Sequence, residues 1–123
     1  MKFYVFVAIF LLAFVSMQEF KLKIGESGKS KPEGLEVEFH SVAEDSRCPR
    51  GVTCMWAGNA KVLLKVKKNG AKPVDVELNT NSNPRTASYL EYELTLKELR
   101  PYPESDVTIK PSDYEVILTM RKR

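Results

Sequence analysis

Cys48 and Cys54 are the only cysteines in the 123-residue chain, and five residues lie between them. That pairing could serve three chemistries: a disulfide, a redox couple or part of a metal site. A redox couple would draw on Arg47 and Arg50, which flank Cys48 and would stabilise a thiolate. The spacing is not Cys-x-x-Cys, however, and no thioredoxin-like strand–helix pattern surrounds it. Zinc would need His40, the single histidine, together with both cysteines and a carboxylate. His40 instead lies beside Glu36 and Glu38 on the polar face of an expected strand. No nucleophile elbow, phosphate-cradling glycine loop, His-Glu-x-x-His or calcium loop occurs. Paired carboxylates such as Glu91 and Glu93 fall on outward strand positions and signal glycoside hydrolysis only weakly. The expectation is a protein without catalytic activity, cofactor or resident metal, in which Cys48 and Cys54 form a disulfide.

Closing so short a loop restrains few unfolded conformations, about 2 kcal/mol in the chain-entropy picture. The bridge therefore stiffens one loop more than it ties a fold together. Two roles are open to that loop: a staple that packs the only tryptophan, Trp56, or a rigid surface presented to a partner. Trp56 is expected as a core anchor against the disulfide, since Ala57 and Gly58 suit a tight junction. Exposure as a binding aromatic is the alternative. Asp45 and Ser46 are expected to form a turn before Cys48. If the loop contacts a partner, Arg47, Arg50, Met55 and Trp56 are the candidate contacts. Tyr102, within Pro101-Tyr102-Pro103, fits either a buried cap or a presented contact.

The rest of the chain must position this loop, and it reads as β-structure. Phe20, Leu22 and Ile24 alternate with charged residues, as do Leu35, Val37 and Phe39, the two-residue period of half-buried strands. Residues 25–34 form a loop with no apolar side chain. A phase slip near Ser41 predicts a bulge. Ala60, Val62, Leu64 and Val66 alternate with lysines, with Leu63 outward; Asn69-Gly70 marks a hairpin, and Val74, Val76 and Leu78 return. The polar segment 79–88 reads as a mobile loop. The longest strand is expected to place Leu90, Tyr92, Leu94 and Leu96 inward, with a second bulge at Glu98-Leu99. A brief strand at 106–110 and a last one carrying Tyr114, Val116, Leu118 and Met120 complete the pattern. Six or seven alternating strands without a helix predict an all-β antiparallel sandwich of Ig-like or Greek-key type, with one short disulfide loop.

The N-terminus has a different character. Lys2 is followed by an uncharged apolar run, residues 3–15, too short for a bilayer span of about 20 residues but suited to a secretory signal peptide. We expect a leader at 1–18, cleaved between Ser16 and Glu19, and a single domain at 19–123. A retained membrane anchor is the alternative. Without the leader the charge excess is small and interspersed, and Arg121-Lys122-Arg123 is the only basic run, expected as a polar tail. No basic face interleaved with aromatics suggests nucleic acid. The protein is expected to be exported, periplasmic or extracellular, and monomeric, with no stable membrane span after cleavage.

Asp45-Ser46-Arg47-Cys48-Pro49, Val52, Cys54, Trp56-Ala57-Gly58 and Ala60 together resemble a motif of small bacterial exported proteins and lipoproteins that are mostly uncharacterised. Leu99-Arg100-Pro101-Tyr102-Pro103 and Asp113-Tyr114 are similar to the ends of the same domains. The resemblance implies a bacterial source and an extracytoplasmic β domain, and carries over no activity, substrate or catalytic residue. No cysteine occurs before Cys48, so the lipid-acceptor cysteine expected directly after the apolar run of a lipoprotein is not there. The function expected is a non-catalytic binding or envelope-associated module whose partner is an extracytoplasmic protein or envelope component. A secreted protease inhibitor presenting the 45–58 or the 79–88 loop is the runner-up. Intact mass measured without reduction should fall two hydrogens below the reduced mass; equal masses would leave both thiols free and reopen the redox and metal readings.

Overall fold

The computed structural model describes residues 17–30 and 34–123. The expected leader therefore lies, as far as Ser16, outside the described residues. Eight strands form two antiparallel sheets: β1 Met17–Lys23, β2 Ser27–Ser30, β3 Leu35–Asp45, β4 Ala60–Lys68, β5 Val74–Asn79, β6 Thr86–Tyr89, β7 Tyr92–Arg100 and β8 Glu115–Lys122. One sheet runs β1-β8-β7-β6 and the other β2-β3-β4-β5. The antiparallel sandwich expected from the alternation is the fold. Within each sheet the order is that of a meander, β2 to β5 in one and β6 to β8 in the other with β1 pairing on β8, rather than an Ig-like or Greek-key order.

The alternating residues meet between the sheets. Leu35, Val37 and Phe39 of β3 and Val62, Leu64 and Val66 of β4 face Leu94 and Leu96 of β7 and Val116, Leu118 and Met120 of β8, all buried. Each such side chain contributes about 1.5–3 kcal/mol of burial. Leu63 lies on the outer face as expected, only partly covered. Lys65 Nζ meets Asp75 Oδ1 at 2.9 Å across the β4–β5 hairpin. That hairpin turns at Asn69 and Gly70, whose φ values of 49° and 78° suit a tight turn of the mirror-image type.

Both expected bulges are present, and both serve the loop end of the sandwich. Register slips between Phe39 and Ser41 and between Val42 and Glu44 re-aim the end of β3, which finishes at Asp45. A slip between Leu96 and Glu98 returns Leu99 to the buried side of β7. Bulges change which face a side chain occupies, so these slips decide what can meet between the strand ends.

Among the described residues the strands number eight, not six or seven, because two short strands carry no apolar alternation. β2, Ser27–Ser30, lies in the stretch expected as loop. A Cβ at Gly28 would fall 2.5 Å from the Phe20 ring, so this strand packs through a missing side chain. β6 occupies the end of the 79–88 segment expected as a mobile loop. Leu90 is exposed with φ 53° in the β6–β7 turn, where it cannot reach the core. Residues 106–110 form no strand; a single 3-10 turn follows at Pro111–Asp113. Val74, at the outer end of β5, is exposed rather than inward.

Phe39→Ala should cost about 3–5 kcal/mol in urea unfolding, since the cavity opens in the centre of the core. The Tyr92 hydroxyl is buried with no hydrogen-bond partner among the described residues. Tyr92→Phe should therefore change stability by less than about 1 kcal/mol. A loss comparable to that of Phe39→Ala would show that the hydroxyl is bonded.

Candidate functional site

The loop between β3 and β4 continues their pairing past the end of the sheet. Ser46 N donates to the Asn59 carbonyl at 2.7 Å and Cys48 N to the Ala57 carbonyl at 3.1 Å. Ser46 Oγ donates to the Asn59 carbonyl and accepts from Asn59 N, at 2.9 and 3.0 Å. The two arms approach so closely that a Cβ at Gly58 would lie 1.9 Å from the Ser46 carbonyl oxygen. Gly58 also has φ +73°, so any side chain there meets both a clash and backbone strain. Beyond these arms the Cys48–Cys54 disulfide closes the tip, with Cα atoms 6.0 Å apart, an ordinary separation.

Arg47 lies beneath the tip and is 9% exposed. Its Nε and Nη2 donate to the two carboxylate oxygens of Asp45 at 2.8 and 2.7 Å. Nη1 donates to the Leu99 carbonyl at 2.8 Å and Nη2 to the Pro101 carbonyl at 3.1 Å. Tyr114 Oη donates to Asp45 Oδ2 at 2.8 Å. The guanidinium thus joins the end of β3 in one sheet to the end of β7 in the other, and Tyr114 adds the approach to β8. The Asp45 carboxylate also accepts from Arg47 N, forming the turn expected before Cys48. Burial alone would raise the Asp45 carboxyl, but hydrogen bonds from Arg47 and Tyr114 and the guanidinium charge together hold it below its ordinary value. Burial, then the bond to Asp45, pushes Tyr114 up to about 12.

Asn59 ties a second loop to this end. Its Oδ1 accepts from Asn81 N and Ser82 N, both at 2.9 Å, and its Nδ2 donates to Asn79 Oδ1 at 2.9 Å. Buried Asn79 in turn donates to the Pro84 carbonyl at 3.1 Å. Sequence reasoning passed over Asn59 and Asn79, because an asparagine in a turn-rich stretch looks the same whether it bonds to its own turn or to a remote loop.

The four candidate contacts separate sharply. Arg47 is not presented: it is buried and its donors point to Asp45 and two carbonyls. Trp56 is not the core anchor expected, because it sits on a tip beyond the ends of β3 and β4, where no other described strand covers it, and is 78% exposed. Met55 beside it is 87% exposed, and Val52 is also exposed. Arg50 is exposed and lies over the Tyr102 ring at 5.2 Å, with Arg47 at 5.7 Å from the same ring. Arg50 N donates to the Pro103 carbonyl at 2.9 Å, and its guanidinium sits 3.8 Å from Glu104. Tyr102 is therefore a half-presented ring that seats the tip. His40 is exposed on the outer face of the β2-β3-β4-β5 sheet, beside Leu63, Lys65 and Asp75. Among the described residues no three His, Cys, Asp or Glu side chains are placed to hold a metal.

Comparison with family models, with curated proteins and with solved structures returns no match. The geometry alone defines the class: a disulfide-stapled β-sandwich that projects an apolar tip from one end.

Arg47→Met should destabilise the domain by about 3–5 kcal/mol, because it leaves the Asp45 carboxylate buried beside an apolar side chain. An exposed ion pair would lose less than 1 kcal/mol, so urea titration separates the two cases. The pH dependence follows from the two shifts. Asp45 has a depressed folded pKa, so its stabilisation is present above its ordinary 3.8 and fades as pH falls through the lower folded value. Tyr114 is raised, so its stabilisation is complete below 10.0 and is lost as pH rises toward about 12. Tyr114→Phe should remove the alkaline part of the stability profile; an unchanged profile would exclude the Tyr114–Asp45 bond.

Proposed function

We propose that the protein is a small exported, non-catalytic binding module whose stapled tip, with Val52, Met55, Trp56 and Arg50 outermost, enters an apolar recess of an extracytoplasmic protein or envelope component. The observation that carries this reading is the 78% exposure of the only tryptophan on a loop that its own neighbours hold still. Asp45, Ser46, Arg47, Gly58 and Asn59 all face within the domain, whereas Met55 and Trp56 face outward. Isolated surface apolar residues are ordinary, but a tryptophan and methionine side by side on a braced protrusion match the composition of interface hot spots. Bracing lowers the ordering cost of association.

The disulfide supports export, since such bonds persist in oxidising compartments. No helix among the described residues is long and apolar enough to cross a membrane. The convex tip also suits a protease cleft, and of the two loops considered for inhibition it is the freer: 79–82 is tied to Asn59, and Thr86 onward is strand.

A photo-crosslinker at position 55 should capture one defined envelope protein, and Trp56→Ala should weaken that complex at least tenfold with an unchanged melting temperature, as about 1.4 kcal/mol or more for a central aromatic implies. Equal affinity of wild type and Trp56→Ala would overturn the reading. Inhibition of a panel protease by wild type, lost in Trp56→Ala or Arg50→Ala, would replace it with the inhibitor reading.

A further inference from the structure

The strand registers give the molecule two unlike ends. At one end stand the tip, Arg47 and the 99–114 segment. At the other, Met17 pairs with Arg121, Tyr92 pairs with Lys122, and β4 runs out at Lys68. Lys68 Nζ meets Glu91 Oε1 at 3.2 Å, and Arg123 N donates to the Glu91 carbonyl at 2.7 Å, so both sheets finish together there. The chain thus joins the domain, through Met17, at the end remote from Trp56, and in sequence the apolar run 3–15 precedes that point.

Charge is segregated along the same axis. The remote end gathers Lys68, Lys72, Arg121, Lys122 and Arg123, with Lys29 and Lys67 on its flank. Two carboxylates there are already engaged, Glu91 by Lys68 and Glu93 by Arg121 at 3.0 Å, and Glu36 lies in register between Lys29 and Lys67. Lys72, Lys122 and Arg123 are exposed and form no salt bridge among the described residues, although Lys122 lies near enough to the Glu91 carboxylate to help lower its pKa. At the tip end, by contrast, Arg50, Arg100 and Arg47 face Glu104, Glu98 and Asp45. The domain's small positive excess is therefore concentrated on one end face rather than spread as a solvated surface.

We propose that this basic end face, centred on Lys72, Lys122 and Arg123, docks peripherally on an anionic lipid bilayer and holds the stapled tip pointing away from it. Lysine and arginine side chains near an anionic leaflet each add attraction that decays within a Debye length, so a few unpaired cations on one face suffice for reversible, salt-sensitive binding. Met17, where the described domain begins, lies at the same end. The inference is independent of what the tip binds.

The test uses residues 19–123 with the disulfide intact, and vesicles of phosphatidylcholine alone or mixed with phosphatidylglycerol. Flotation should recover protein with the anionic vesicles only, and raising salt from 50 to 500 mM (about 13 to 4 Å of Debye length) should release it. Lys72→Glu/Lys122→Glu/Arg123→Glu should reduce the bound fraction at least fivefold, while Arg50→Glu and Trp56→Ala at the opposite end leave it unchanged. Circular dichroism melts confirm that each variant is folded. Equal recovery with both vesicle types, retention of binding by the triple variant, or loss of binding in Arg50→Glu or Trp56→Ala would each overturn the proposal.

Discussion

The loop end of this sandwich depends on one buried guanidinium. Two sheets held by apolar contacts can slide or splay where the strands run out, because the hydrophobic effect has no direction. Arg47 removes that freedom. Its forked donors reach a carboxylate at the end of β3 and carbonyls at the end of β7, and those directions are fixed by a planar group. Removing a charge from water is costly, and the arrangement is sustained only because Asp45 is bidentate and itself bonded by Tyr114. The bulges in β3 and β7 are part of the same device, since without those slips Asp45 and Leu99 would not be presented to one arginine.

The disulfide has a narrower task than its chemistry suggests. It closes a tip that the Arg47 clamp and the Gly58 contact have already aimed, and so restricts the conformations of residues 49–53 rather than the fold. The tip rests on Tyr102, whose ring takes a guanidinium from Arg47 and another from Arg50. In this way the domain separates residues that hold from residues that are shown. The motif's conspicuous members, the cysteines and Arg47, belong to the first group, and its tryptophan belongs to the second.

Much of the architecture was legible in the sequence because alternation and hairpin chemistry are local. Val62, Leu64 and Val66 declare their face at a period of two, Asn69-Gly70 declares its turn, and the slips at Ser41 and Glu98 declare bulges. What escaped was the structure made by residues without that signal. β2 packs by having no side chain at Gly28, and β6 is an edge strand whose Thr86 and Ser88 face solvent. Leu90 shows the converse error: its apolar character continues the pattern, but the turn preceding β7 takes it out of phase.

By itself, then, the sequence determined the class of fold, the inward and outward faces of most strands and the pairing of the two cysteines, each a consequence of short-range periodicity or of composition. Tertiary structure alone decided the orientation of the residues around them. Arg47 is buried because a carboxylate two residues away and carbonyls more than fifty residues away converge on it. Trp56 is exposed because the β3–β4 hairpin outruns the sheet that would have covered it. The basic run after β8 becomes one face of the molecule only when β8 and β4 finish at the same end. Such outcomes depend on contacts between distant segments, which no local pattern encodes.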